Sequence, residues 1–324
     1  MAELTMAGAL NAALRDAMRG DARTIVLGED VGRLGGVFRV TDGLLSEFGG
    51  ERVIDTPLAE GGIAGVSIGL ALAGWHPVAE MQFDAFSYPA LDQLISHAAH
   101  YRFRTRGRMT VPLVVRIPYG GAIHAAESHS DSPEAYYAHT AGLKVVVPSS
   151  PADAYGLLRA AVADPDPVIF LEPKSRYWTR GEVEPGAGAE PIGRATIVRP
   201  GQDCTVVAYG AMIARALGAA EAAAKEGISV EVLDLRSLVP LDLEALAASV
   251  RRTGHAVVVH EAQMTGGFGA EIVARLVEDA FDYLEAPVAR VTGYDTPYPP
   301  SSLEDHWLPS ADRILAAVER VVAY

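Results

Sequence analysis

Glu60 is the carboxylate whose setting best suits proton chemistry. It lies in Asp55-Thr56-Pro57-Leu58-Ala59-Glu60, at the start of an apolar helix. Gly61, Gly65 and Gly69 follow at four-residue spacing, so they share one helix face. A face of hydrogen atoms lets another backbone approach closely. A Glu beside that contact would be partly desolvated, a setting suited to proton exchange. Chemistry alone leaves a second reading open, a carboxylate favoured by the helix N-terminal dipole.

A second concentration of reactive types lies over 120–132. It holds Gly120, Gly121, His124, Glu127, His129 and Asp131. A polar loop this long in a compact domain is functional or mobile. None of the nine histidines forms a His-Glu-x-x-His pattern. His97 and His100 share a helix face but lack a third ligand, which favours a surface or interface role. Gly-x-x-x-x-Gly-Lys-[Ser/Thr], Gly-x-Gly-x-x-Gly and Gly-x-Ser-x-Gly are all absent. Phosphate cradling by the usual loops and serine hydrolysis therefore have no support. Gly266-Gly267-Phe268-Gly269 invites a phosphate reading, although a strand-to-helix connection explains it as well.

The elements that must position these residues alternate. Thr5 caps a helix whose stripe is Met6, Ala9, Leu10, Ala13, Leu14 and Ala17. Strands are expected at 24–27, 53–54, 77–82, 113–117, 144–147 and 168–171. Helices are expected from about 59 and over 90–103, 133–139 and 152–163. The stretch 179–202 is rich in Gly and Pro and reads as an interdomain linker. Beyond it, strands at 205–209, 229–233, 256–260 and 288–292 alternate with helices over 211–226 and 243–250, one running to 281, and one over 311–322. Alternation of this kind implies a mainly parallel sheet with helices on both faces. The expected fold is α/β in two domains, 1–184 and 190–324.

Composition narrows the function. The chain has 324 residues, enough for two domains. Its 49% hydrophobic content supports large cores. With 41 acidic and 27 basic side chains the net charge is −14, which argues against nucleic acid as a partner. Arg102, Arg104, Arg106 and Arg108 around Phe103 are the one basic run, too little to reverse that. The longest uncharged apolar run, 61–75, is too short for a membrane span. The start shows no targeting signal, and the single cysteine, Cys204, fits a reducing cytoplasm.

Five motifs, taken in order, resemble one family. They are Glu60-x4-Gly65-Val66-x2-Gly69-Leu70; His129-Ser130-Asp131-Ser132-Pro133-Glu134-Ala135; His139 through Val146; Glu261 through Phe268; and Gly293-Tyr294-Asp295-Thr296-Pro297-Tyr298-Pro299. Together they look like the β subunit of a 2-oxo acid dehydrogenase decarboxylating component, nearest the branched-chain type. The resemblance spans nearly the whole chain. It implies a thiamine-diphosphate pyrimidine domain followed by a transketolase-like C-terminal domain.

The resemblance also implies half an active site. In the family the α chain supplies the diphosphate and Mg²⁺ site through Gly-Asp-Gly and an Asn pair. This chain has Gly28-Glu29-Asp30 and no Gly-Asp-Gly. An α₂β₂ heterotetramer, a lipoyl-bearing acyltransferase and a small 2-oxo acid are the implied partners. Glu60 would hydrogen-bond the aminopyrimidine of the cofactor and favour its imino tautomer. Leu58, Gln82 and Phe86 match positions lining the cofactor, with Phe86 replacing a Tyr of close relatives. His129 matches the histidine near the substrate during reductive acylation of lipoyl. Asp131 stands where relatives have Gln, and a carboxylate there would raise the proton affinity of the histidine. Leu113, Ala161 and Asp164 match a K⁺ site of mammalian relatives, with Asp166 replacing Asn. Pyruvate or acetoin dehydrogenase β subunits are the alternatives within the class. A non-catalytic, doubly wound, flavin-type binding module is the alternative outside it.

Overall fold

Thr5 begins the first helix as the motif predicts. Its hydroxyl accepts the Gly8 N–H, and Met6–Gly20 buries Met6, Ala9, Leu10, Ala13 and Leu14. In the computed structural model, which describes residues 1–324, that helix packs beneath a seven-stranded sheet. Fourteen strands occur in chain order: β1 Ala2–Thr5, β2 Thr24–Gly28, β3 Val53–Asp55, β4 His76–Glu80, β5 Val114–Tyr119, β6 Lys144–Val146 and β7 Val168–Pro173. After them come β8 Arg180–Val183, β9 Thr196–Arg199, β10 Cys204–Ala208, β11 Val230–Asp234, β12 Ser237–Val239, β13 Ala256–Gln263 and β14 Ala289–Gly293.

The large sheet has the order β12-β6-β7-β5-β4-β2-β3, and a second, five-stranded sheet runs β14-β13-β10-β11-β9. Each is parallel except for one edge strand, β12 in the first and β9 in the second. The central strands are continuous buried runs of Val, Ile and Leu, as a sheet covered on both faces requires. One apolar core passes through both units, from Leu27 and Ile117 in the first to Val207 and Val258 in the second.

Two expectations need correction, and one strand was not expected. The stretch 179–202 is not a plain linker. It contains β8, which pairs antiparallel with β1, and β9, which closes the edge of the second sheet. β12 has no counterpart in the sequence reading, because three residues give too little periodicity. It leaves the second half to pair with β6 of the first sheet. The helix expected over 90–103 is broken. Turns of 3₁₀ at Ala85–Ala90 and Ala98–His100 alternate with short helices Leu91–Ser96 and Tyr101–Arg104. His97, at φ −118° and ψ −69°, interrupts the spiral.

A buried ionic cluster ties the strands beneath the site. Arg116 of β5 lies between Glu80 of β4 and Glu172 of β7, and Glu172 also accepts the Tyr177 hydroxyl at 2.6 Å. All four side chains are buried. No local pattern marks this cluster, since its members are dispersed along the chain.

Candidate active site at the carboxyl edge of the first sheet

The parallel strands of the first sheet end at one edge, and the notable residues follow those ends. Glu29 and Asp30 follow β2, Glu60 follows β3, Gln82 and Phe86 follow β4, and His129 lies in the loop after β5. Ligands bind at such carboxyl edges, where successive strands are laid to opposite sides. Here β3 and β4 flank β2 on opposite sides.

Glu60 is the first residue of the helix Glu60–Leu72 and is buried. Glu29 faces it. Burial, with the charges of Glu60 and Asp30, holds the Glu29 carboxyl above the usual carboxylate range. Both Glu29 oxygens and the Thr56 hydroxyl have no hydrogen-bond partner in the chain. By sequence, Glu29 is marked only as a departure from Gly-Asp-Gly. Its chemistry is visible only once β2 and β3 are paired.

Gly61 and Gly65 do admit close neighbours. A Cβ on Gly61 would lie 3.1 Å from the Pro89 carbonyl, and one on Gly65 would lie 3.5 Å from Gln93 Oε1. Gly69 has open space instead. Leu58 projects from the preceding turn with 75% of its surface exposed. Beside it Leu27, Thr56, Pro57, Ile63 and Val66 line an apolar hollow of about 220 Å³.

Gln82 donates to Asp30 Oδ2 at 2.9 Å, which joins the ends of β2 and β4. Phe83 continues from it to the second group. The His129 ring meets Phe83 edge-on at 4.2 Å between centroids and Phe86 at 5.2 Å. His129 Nδ1 lies 3.0 Å from Ser128 Oγ. The structure thus gathers Glu29, Asp30, Glu60 and Gln82 in one group, and Phe83, Phe86 and His129 in another. The chain step from Gln82 to Phe83 links them.

Asp131 is engaged by other partners. Its Oδ2 accepts the Tyr88 hydroxyl at 2.9 Å and its N–H donates to Asp84 Oδ1 at 3.1 Å. Asp131 is therefore engaged in holding the loop. Asp84 is in turn paired with Lys174, both fully buried, and Lys174 stands 5.6 Å from the Phe83 ring. Burial pushes Asp84 up and Lys174 down, while each partner's charge opposes the shift.

The residues matched to a K⁺ site are near one another, but cations are already present. Both Asp164 oxygens accept from Lys144 Nζ, at 2.7 and 2.6 Å. Asp166 pairs with Arg102 at 2.5 Å. The Leu113 and Ala161 carbonyls accept from Val168 and Asp164 N–H groups. No group of three or more His, Cys, Asp or Glu side chains is placed to hold a metal ion.

Comparison with known proteins identifies the family. The transketolase pyrimidine-binding domain family matches residues 2–179, and the transketolase C-terminal domain family matches 193–314. The 3-methyl-2-oxobutanoate dehydrogenase subunit beta of Mycobacterium tuberculosis is 57% identical over 98% of this chain and 92% of its own length. This chain belongs to the β-subunit family of 2-oxo acid dehydrogenases. The pyruvate dehydrogenase E1 component subunit beta of Leifsonia xyli is 53% identical over 99% of this chain and 95% of its own. Among solved structures, a split-gene transketolase described as an inactive beta4 tetramer superposes with a TM-score of 0.82. It is 25% identical and covers 99% of this chain and 98% of its own. Family members of this type depend on thiamine diphosphate. No helix of this chain is long and apolar enough to cross a membrane.

Proposed function

We propose that this chain is the β subunit of a branched-chain 2-oxo acid dehydrogenase. It would work with an α subunit in an α₂β₂ heterotetramer and deliver acyl groups to the lipoyl arm of an acyltransferase. The observation that carries this reading is Glu60, buried at the carboxyl edge beside Glu29, whose oxygens have no partner in the chain. A buried carboxylate without partners is costly unless a polar group arrives to meet it. The branched-chain assignment rests on the 57% identical relative.

The chain's residues suit the pyrimidine half of thiamine diphosphate. Bound there, the cofactor supplies the carbon nucleophile and electron sink that decarboxylation of a 2-oxo acid needs. Glu60 would hold a proton at the pyrimidine edge and move it as the ring changes tautomer. Leu58 and Phe86 would exclude water from the ring face, and Gln82 would fix the Asp30 side of the pocket. His129 would stand over the acyl group and supply a proton to the departing lipoyl sulfur. The diphosphate and Mg²⁺ fall to the α subunit in this reading. A K⁺ ion near Leu113 and Ala161 would depend on their carbonyls, because Lys144 and Arg102 already match the two acids. The single cysteine, fully buried, supports placement in the cytoplasm.

A pyruvate-type reading is favoured by the 53% identical relative. Steady-state competition between 2-oxoisovalerate and pyruvate on the chain reconstituted with its α subunit separates the two. Each additional methyl in an apolar pocket discriminates by about 10–200-fold. A higher kcat/KM for 2-oxoisovalerate is expected. A tenfold preference for pyruvate would replace the branched-chain assignment with the pyruvate one. Full turnover by the isolated chain with thiamine diphosphate and Mg²⁺ would overturn the half-site reading.

A further inference from the structure

The loop that carries His129 is held in a shape it would not adopt alone. Its ends close on each other, the Gly120 N–H donating to the Asp131 carbonyl at 2.8 Å. Ala122 and His124 both lie in the left-handed region, at φ 62° and 54°. Side-chain-bearing residues seldom visit it, and such backbone persists only where the surroundings over-determine it.

The surroundings here are two acids from the second half of the chain. Glu304 Oε1 accepts the Ala122 N–H and Oε2 accepts the His124 N–H, each at 3.0 Å. Glu261 Oε2 accepts the Gly121 N–H at 2.8 Å. Both acids are buried, and the Tyr298 hydroxyl donates to Glu304 Oε1 at 2.6 Å. Glu261 lies at the register break of β13, between Val259 and Gln263, and such a break re-aims a side chain. Two glycines make the approach feasible. A Cβ on Gly120 would lie 2.8 Å from Glu261 Oε2, and one on Gly121 would lie 1.8 Å from the Tyr298 hydroxyl. The far end of the loop is held by Asp84 and Tyr88 of the first domain, so His129 lies between two anchors.

We propose that Glu261 and Glu304 are positioning residues for acyl transfer. The second domain grips the backbone of residues 121–124 and thereby sets where the His129 ring meets Phe83 and Phe86. This rests on the role given to His129 above. It assigns the second domain a part in the chemistry beyond that of a scaffold.

The test uses Glu304→Gln in the reconstituted complex. An amide has one acceptor and one donor, so one of the two loop bonds must be lost. Hydrogen exchange should quicken at residues 121, 122 and 124. Lipoyl acylation should fall at least about tenfold, while decarboxylation with an artificial electron acceptor changes less than about threefold. Added to His129→Ala, the substitution should cost less than about twofold more, because both act through one group. Unchanged exchange over 120–132 overturns the proposal. So does a full additive loss on top of an impaired His129→Ala. Wild-type acylation by His129→Ala alone would instead defeat the role given to His129. If Glu304→Gln does not fold, Glu261→Ala removes the acceptor of the Gly121 N–H and is read in the same way at residue 121.

Discussion

At the carboxyl edge of the seven-stranded sheet, Glu29 leaves both oxygens without a partner in the chain. At the facing edge of the five-stranded sheet, Glu261 accepts the Gly121 N–H, and nearby Glu304 uses both oxygens on the same loop. The two sheets present buried acids to one interior and use them in opposite ways. Desolvated carboxylates are costly when unpaired, so the first edge is arranged to receive something and the second to hold something. On the function and positioning roles proposed above, binding and support reside in different halves of one chain.

The largest test of this contrast is Glu60→Gln in the reconstituted complex. It keeps the size of the side chain and removes the acid. Turnover of every 2-oxo acid should fall by about 10²–10⁴-fold, the range for a positioned acid–base group. A rate near wild type would make Glu60 a helix-terminal carboxylate and end the distinction between the two edges.

His129→Ala acts on the residue that both halves hold. Lipoyl acylation should fall by about 10²-fold, as for loss of one proton donor. Decarboxylation read with an artificial acceptor should fall far less. Equal losses in both assays would assign His129 to general cofactor positioning.

The smallest effect concerns Glu134, a buried acid between the two edges. Tyr209 donates to its Oε1 at 2.8 Å, and Oε2 has no partner. Burial raises its carboxyl to about 8 from an ordinary 4.5. Between those values the folded chain keeps a proton that the unfolded chain has released. Stability therefore falls as pH rises from about 4.5 to about 8. Buried Asp234, raised to about 7, adds to the same trend. Glu134→Gln keeps the acceptor for Tyr209 and removes the titration. Its Tm should decline less than wild type between those limits and exceed it by a few degrees at the alkaline end. Parallel Tm curves for the two proteins would show that Glu134 does not titrate there.

Much of this was legible in the chain. Regular alternation after residue 203 marked the second sheet, because each strand and helix there is long enough to show its period. Local chemistry points to Glu60 at the start of an apolar, glycine-rich helix but leaves a helix-terminal role open, and it is the ordered motifs, through the resemblance they carry, that favour a role in catalysis for Glu60 and His129. Contacts between distant segments were not legible. The pairing of β12 with β6, the approach of Glu29 to Glu60, the Arg116 cluster and the turn of Asp131 toward Tyr88 all depend on strand order. So does the hold of Glu261 and Glu304 on the His129 loop, across some 140 to 182 residues of chain. Residue type and spacing determined which side chains could do chemistry. Tertiary structure decided which of them are desolvated together, because burial and charge proximity are properties of the packed sheets and not of the segments that form them.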